Sequence, residues 1–397
     1  MPFVSRRGTT LPSSPIRKLV PLANAAKLSG VKVYHLNIGQ PDLPTPQKGL
    51  DALRAVDRKT LEYSPSEGLL SLREKLVGYY ARFGVEVTTD QIIVTTGGSE
   101  AILFCFLACL DPGDEILMLE PVYANYISMA QSAGAVVKTV TAHIENGFAL
   151  PPVAAFEEAI TPRTRAILLC NPSNPTGTVY TQAELLQLKE LALRHNLFLF
   201  SDEVYREFVY GSEPVLSALS LGLPDHVVVI DSVSKRYSEC GIRVGMLVTH
   251  NKEVHDAVMK LCQARLSPPL LGQLVAEASI EGVEEYAKAC YDEYKARRDF
   301  FIEGLNKIPG VFSPMPEGAF YTVASLPVED AEDFCRWLLT DFSLDGETVM
   351  MAPAAGFYST PGAGRNQVRM AYVLRREDLA RALFLLEEAL KVYNKGK

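Results

Sequence analysis

Four short segments of this sequence carry residue types that can act together on one small molecule. They are Thr96-Gly97-Gly98-Ser99-Glu100, Asn171-Pro172-Ser173-Asn174-Pro175-Thr176-Gly177, Ser201-Asp202-Glu203-Val204-Tyr205 and Ser232-Val233-Ser234-Lys235, with Arg243 eight residues beyond the last. Lys235 comes just after an apolar run. Burial and nearby cations there depress an amine's pKa and suit it to condense with an aldehyde. Asp202 closes another apolar run and can pair with a protonated ring nitrogen, which lets a ring accept electrons. Tyr205, three residues on, shares that face if the turn is helical. Its hydroxyl can meet a phenolic oxygen, as can the amide of Asn174, aimed by a loop that two prolines stiffen. Gly97, Gly98 and Ser99 open a helix, whose first N–H groups bind phosphate. Ser232, Ser234 and a forked Arg243 can add to that contact, and Tyr123 is placed to stack on a flat ring. Each residue alone has a plainer reading: a surface lysine, a capping aspartate, core tyrosines, an ordinary turn. Their joint order describes instead a pocket for pyridoxal 5'-phosphate (PLP), which unites an aldehyde, a ring nitrogen, a phenolic oxygen and a phosphate.

These groups need a frame of strands and helices. Seven runs predict strands: 91–95, 115–119, 135–141, 165–170, 197–202, 227–231 and 245–249. Several are continuously apolar, as strands covered on both faces are. Helical stretches at 99–109, 123–133 and 181–195 lie between them, the last opened by a capping box of Thr181 and Glu184. This alternation predicts an α/β fold with a mostly parallel seven-stranded sheet between helices. A long helix over about 281–308 leads to a smaller α+β part, with strands at 319–323, 349–352 and 367–371 and helices at 330–339 and 377–392. The first 15 residues read as a loose arm, 15–29 as weakly helical and 33–38 as a strand. The expected division is an arm and part of the small domain over 1–45, a large PLP-binding domain over 46–283 and a small domain over 284–397.

Composition narrows the partners. The chain has 397 residues, 48% hydrophobic and 22% charged, with a net charge of −8. A domain-wide basic field is missing, which argues against nucleic acid. No apolar run follows Arg6-Arg7 and no stretch reaches the ~20 residues of a membrane span. The seven scattered cysteines form no metal-binding pattern and read as reduced thiols of a cytoplasmic protein.

Taken together, the segments resemble the PLP-dependent aminotransferases of fold type I, class I/II, a group that includes aspartate and aromatic aminotransferases. The resemblance runs over about residues 14–393. It implies that Ile38 and Gly39, in Asn37-Ile38-Gly39-Gln40-Pro41-Asp42, close over the substrate, with the Gly39 backbone near its carboxylate. It implies that Arg369 grips the α-carboxylate, a task suited to a forked guanidinium on a strand. It implies that Tyr63 reaches the phosphate of a neighbouring subunit, hence a homodimer. The expected reaction moves the amino group of an aspartate-like or aromatic L-amino acid to a 2-oxo acid such as 2-oxoglutarate. Lys235 shuttles the α-proton, and the kinetics are ping-pong. The alternatives are a C–S β-lyase or an aminocyclopropane-carboxylate synthase-like reaction on the same scaffold, and, further off, a non-catalytic PLP-binding regulator. A nicotinamide dehydrogenase would need a Gly-x-Gly-x-x-Gly segment that the sequence lacks. Glu239 departs from the family pattern, which has an apolar residue there, and bears on local packing and substrate choice. For a substrate's distal carboxylate the sequence offers Arg17, Lys18 and Arg265 without singling one out.

Overall fold

The computed structural model describes residues 2–12, 14–211 and 215–395. All seven expected strands form one sheet, in the order Ile92–Thr95, Gly245–Thr249, Val227–Ser232, Phe198–Asp202, Thr164–Cys170, Glu115–Glu120, Val136–Thr141. Neighbours pair in parallel except at Gly245–Thr249, which runs antiparallel to both of its neighbours. The central strands are apolar on both faces because helices cover both: Phe200, Val228 and Ile230 pack on one side, and Leu199, Val227 and Val229 on the other. Helix Gln182–His195 starts where the capping box places it. The Thr181 hydroxyl accepts from the Glu184 N–H, and the Glu184 carboxylate accepts from the Thr181 N–H at 2.8 Å.

The 22-residue helix Glu284–Leu305 leads to the second layer of structure. There Tyr321–Ser325, Gln367–Ala371 and Ala352–Pro353 form an antiparallel sheet. Separately, Lys32–His35 pairs in parallel with Glu347–Met350, so the N-terminal strand lies beside a C-terminal one. Helices Ala331–Thr340 and Arg376–Lys395 seal this core through residues such as Phe334, Leu338, Leu385 and Leu386. No helix among the described residues is long and apolar enough to cross a membrane.

Several expectations shift for identifiable reasons. The arm contains a short exposed helix, Arg6–Thr10, held by the Ser5 hydroxyl, which accepts from the Gly8 N–H at 3.1 Å. The strand expected at 33–38 spans Lys32–His35, and beyond it the Asn37 carbonyl is taken by the Arg369 side chain instead of a sheet neighbour. The strand expected from residue 319 begins at Tyr321, because Ala319 adopts a left-handed φ of 54°. Helices Gln47–Arg54, Leu70–Ala81, Lys252–Arg265 and Leu270–Ser279 complete the larger layer.

Glu239 bears on packing and stands outside the cavity described below. It is buried between helices Gln47–Arg54 and Leu270–Ser279, and its Oε1 accepts from the Ser279 hydroxyl at 2.5 Å. Its other oxygen has no hydrogen-bond partner among the described residues. Burial pushes this carboxyl up to about 7, against the pull of Ser279 and Arg236. The folded chain thus holds the proton more tightly than the unfolded one. The group costs nothing below about pH 4, destabilises the fold progressively up to about pH 7, and carries its full cost above that, on the order of 3 kcal/mol. Glu239→Gln keeps the acceptor and removes the charge. It should raise the melting temperature at pH 8 and lose that gain at pH 4.5; equal gains at both pH values would contradict a charge-based cost.

Candidate active site

The carboxyl ends of the central strands place the expected residues together. Asp202 ends one strand and Ser232 the next, while Cys170 leads into the Asn171–Gly177 loop. Around these ends lies a cavity of about 800 Å³. Its walls include Ile38, Gly39, Gly98, Ser99, Tyr123, Asn174, Asp202, Tyr205, Ser232, Ser234, Lys235, Arg243 and Arg369. Gly97 lies just behind Arg243. Tyr63 stands apart, 76% exposed and outside the cavity wall.

One end of the cavity is shaped by close backbone approach. Gly97 has a φ of 77°, which only glycine adopts without strain, and a Cβ there would sit 2.4 Å from Arg243 Nη2. A Cβ at Gly245 would fall 2.4 Å from the Gly97 carbonyl carbon, so the antiparallel strand presses directly on the turn. The turn opens helix Gly98–Cys109, whose first N–H groups face the cavity with Ser99. Across from it, Ser232 Oγ donates to the Val244 carbonyl at 2.9 Å, and Ser232 and Ser234 are 2.7 Å apart.

At the other end, Asp202 is buried and burial pushes its carboxyl up to about 6. The Tyr126 hydroxyl donates to its Oδ2, and the Val204 N–H donates to Oδ1 at 3.2 Å. Both contacts favour the carboxylate and temper the effect of burial. The Tyr205 and Tyr321 hydroxyls are 2.9 Å apart, and Tyr321 donates to the Gly39 carbonyl at 3.2 Å. Lys235 Nζ donates to the same carbonyl at 3.0 Å. This amine differs from the sequence expectation. Burial presses its pKa down, but Tyr321, Cys240 and Tyr123 push it up and the net direction is upward. The hydrogen bond to Gly39 favours the ammonium as well. Arg369 lowers it and is the weakest of these influences.

Arg369 is 1% exposed and has no carboxylate partner among the described residues. Its Nη2 donates to the Asn37 carbonyl, its Nη1 reaches Asn174 Oδ1 at 3.4 Å, and its Nε is unpaired. The Tyr321 ring lies 4.7 Å from the guanidinium and the Phe357 ring 5.5 Å from it. Burial lowers its pKa.

Under the site runs a sealed ion network. Asp231 accepts from Arg206 Nη1 at 3.1 Å, Arg236 Nη1 at 2.8 Å and the Tyr80 hydroxyl at 2.9 Å; Arg206 Nη2 donates to Glu203 Oε2 at 2.6 Å. Sequence reasoning missed Tyr126, Tyr321 and Asn37. A signal existed for one of them: Tyr126 follows Tyr123 at a helical spacing of three on the same cavity wall. Tyr321 and Asn37 carry no comparable mark.

These residues fit PLP. A buried acid that lacks a cation, a glycine turn covered by a guanidinium, and an amine between them match the ring nitrogen, phosphate and aldehyde of that cofactor. The family model for aminotransferases of class I and II matches residues 31–383. The aspartate aminotransferase of Thermotoga maritima is 33% identical over 98% of this chain and 99% of its own. A probable aspartate/prephenate aminotransferase of Thermus aquaticus is 33% identical over 91% and 92%. Among solved structures, the Thermus thermophilus aspartate aminotransferase with maleate has a TM-score of 0.88 at 31% identity, covering 98% of this chain and 100% of that one. The alanine aminotransferase of Pyrococcus furiosus has a TM-score of 0.90 at 30% identity, with the same coverage. The chain belongs to the class I and II aminotransferases, PLP-dependent transaminases of fold type I.

Proposed function

We propose that this transaminase takes the amino group of a dicarboxylic L-amino acid such as aspartate, or of an aromatic one, and passes it to a 2-oxo acid such as 2-oxoglutarate by ping-pong turnover. The observation that carries this reading is Arg369, a buried guanidinium without an anion, in one cavity with Lys235 and Asp202. A lone buried cation is costly unless a ligand supplies the missing charge, and every amino acid and 2-oxo acid brings an α-carboxylate. The relatives named as aspartate aminotransferases, one of them with maleate, favour a dicarboxylate.

In this reading PLP supplies an aldehyde carbon for the amino group and a ring that accepts electrons once its nitrogen is protonated. Asp202, backed by Tyr126, holds the proton at that nitrogen. Tyr205 and Asn174 hydrogen-bond the phenolic oxygen, and Tyr123 stacks on the ring. Gly97, Gly98, Ser99, Ser232, Ser234 and Arg243 hold the phosphate, joined by Tyr63 of the partner subunit in a cytoplasmic homodimer. Arg369 and Asn174 hold the α-carboxylate while Ile38 and Gly39 cover it. Lys235 would hold the aldehyde carbon, and its amine would carry the α-proton, a contribution typically worth ~10²–10⁴-fold. We assign residues 46–283 to the large domain and 284–397, with part of 1–45, to the small one.

Borohydride reduction of the purified enzyme and peptide mapping should find the cofactor on Lys235, and Lys235→Ala should abolish amino transfer. A label on another lysine would sink this assignment of roles. Release of pyruvate and ammonia from a cysteine conjugate without any oxo acid would favour the lyase reading instead. Asp202→Ala should weaken PLP binding and slow α-proton removal, since a buried ring cation left alone costs ~3–5 kcal/mol. Spectroscopic titration and single-turnover rates measure the two effects, and wild-type values in both would rule out Asp202 as the ring partner.

A further inference from the structure

Four basic side chains line the cavity, Arg17, Lys235, Arg243 and Arg369, against one carboxylate, Asp202. The functional reading above, on which this step rests, assigns three of the four. Lys235 holds the aldehyde, Arg243 the phosphate and Arg369 the α-carboxylate. Arg17 is left with no assigned anion. No described side chain pairs with its guanidinium. The other two cations that the sequence offered are already engaged outside the cavity. Lys18 pairs with Glu332. Arg265 pairs with Glu100 at 2.9 Å and donates to the Ser66 carbonyl at 2.8 Å.

The turn that carries Arg17 is fixed relative to Arg369 from two sides. On one side, the Ile16 carbonyl accepts from Asn37 Nδ2 at 2.9 Å, and the Asn37 carbonyl in turn accepts from Arg369 Nη2. On the other, Pro15 packs against Gly356, next to Phe357, whose ring lies under the Arg369 guanidinium. Leu19, 2% exposed, anchors the far end of the turn in the small-domain core. Two guanidinia therefore look into one cavity from supports that share Asn37. Such a pair suits a small molecule with a carboxylate at each end. An aromatic side chain would leave the second charge unmet.

We propose that Arg17 binds the distal carboxylate of the substrate, so that this enzyme prefers dicarboxylic amino and oxo acids over aromatic ones. Arg17 is open to solvent, where an ion pair is weaker than a buried one. That places its effect at about tenfold, the low end of what a charge-assisted contact supplies.

The test uses the half-reaction of the PLP-loaded enzyme with single donors, followed by the cofactor's absorbance. The rate constant per molar for aspartate, divided by that for alanine, should fall about tenfold in Arg17→Gln and recover most of its value in Arg17→Lys. Succinate, which cannot react, should bind the loaded enzyme about tenfold more weakly in Arg17→Gln by calorimetry. An unchanged donor ratio together with unchanged succinate affinity would overturn the role of Arg17. So would a wild-type enzyme that transaminates alanine or phenylalanine but shows no preference for aspartate, and amino transfer itself would then still stand. A wild-type enzyme that accepts amino groups from none of these donors would overturn the functional reading beneath it.

Discussion

The site depends on one unbalanced charge. Arg369 sits at the centre of strand Gln367–Ala371, hydrogen-bonded to strands on both sides and closed off from water. In the interior an uncompensated ion costs several kcal/mol even after the surroundings relax. Dipoles supply part of the compensation: the Asn37 carbonyl, the Asn174 amide oxygen and the faces of Tyr321 and Phe357. None of these carries a full negative charge. The downward push on this guanidinium's pKa expresses the remainder, and in the proposed function an incoming carboxylate would remove it.

Arg206 and Arg236 show what the same residue type looks like when its role is structural. They are as buried as Arg369, yet each has an acid: Asp231 serves both and Glu203 serves Arg206. The pattern along the chain ties this network to the site. Asp202 faces the cavity and Glu203 the network; Tyr205 faces the cavity and Arg206 the network; Lys235 faces the cavity and Arg236 the network. Neighbouring residues thus divide between function and support. The acid, the tyrosine and the lysine are held in register by salt bridges one residue away, inside a low-dielectric layer where such bonds are stiff.

The sheet was legible because its central strands are apolar on both faces and carry no competing period; Gly245–Thr249 matches its expected bounds and the other strand bounds shift by one residue at an end. Thr181 and Glu184 were legible because a capping box is a local interaction. The residues that line the cavity at the strand ends could be grouped for a related reason: they cluster in short runs just after strands. What could not be read joins distant residues. Tyr126 reaches Asp202 across 76 positions, and Tyr321 reaches Tyr205 across 116. Arg369 was placed on the right strand, but its complete burial contradicts the usual exposure of arginine. The upward direction at Lys235 was missed because it comes from Tyr321, Cys240 and Tyr123, which only the fold brings near. Which of Arg17, Lys18 and Arg265 is free depends on Glu332 and Glu100, and those pairings are tertiary.

Asp202 and Arg369 together explain why ligands, not protein groups, complete this site. Asp202 is a buried acid with no cationic partner among the described residues, its carboxyl pushed up to about 6 by burial and drawn toward ionisation by Tyr126 and the Val204 N–H. Arg369 is a buried cation without an acid. Opposite charges in one cavity would ordinarily pair, yet each spends its hydrogen bonds elsewhere, Asp202 on Tyr126 and Val204, Arg369 on Asn37 and Asn174. Their separation is maintained by strands from two different sheets, so collapse onto each other would require breaking both. The pocket consequently presents a negative end and a positive end at fixed places. In the proposed function a ring with a protonated nitrogen would satisfy the first and a carboxylate the second. Binding energy from both ends would then hold the reacting atoms between them, beside Lys235, where orientation contributes directly to rate.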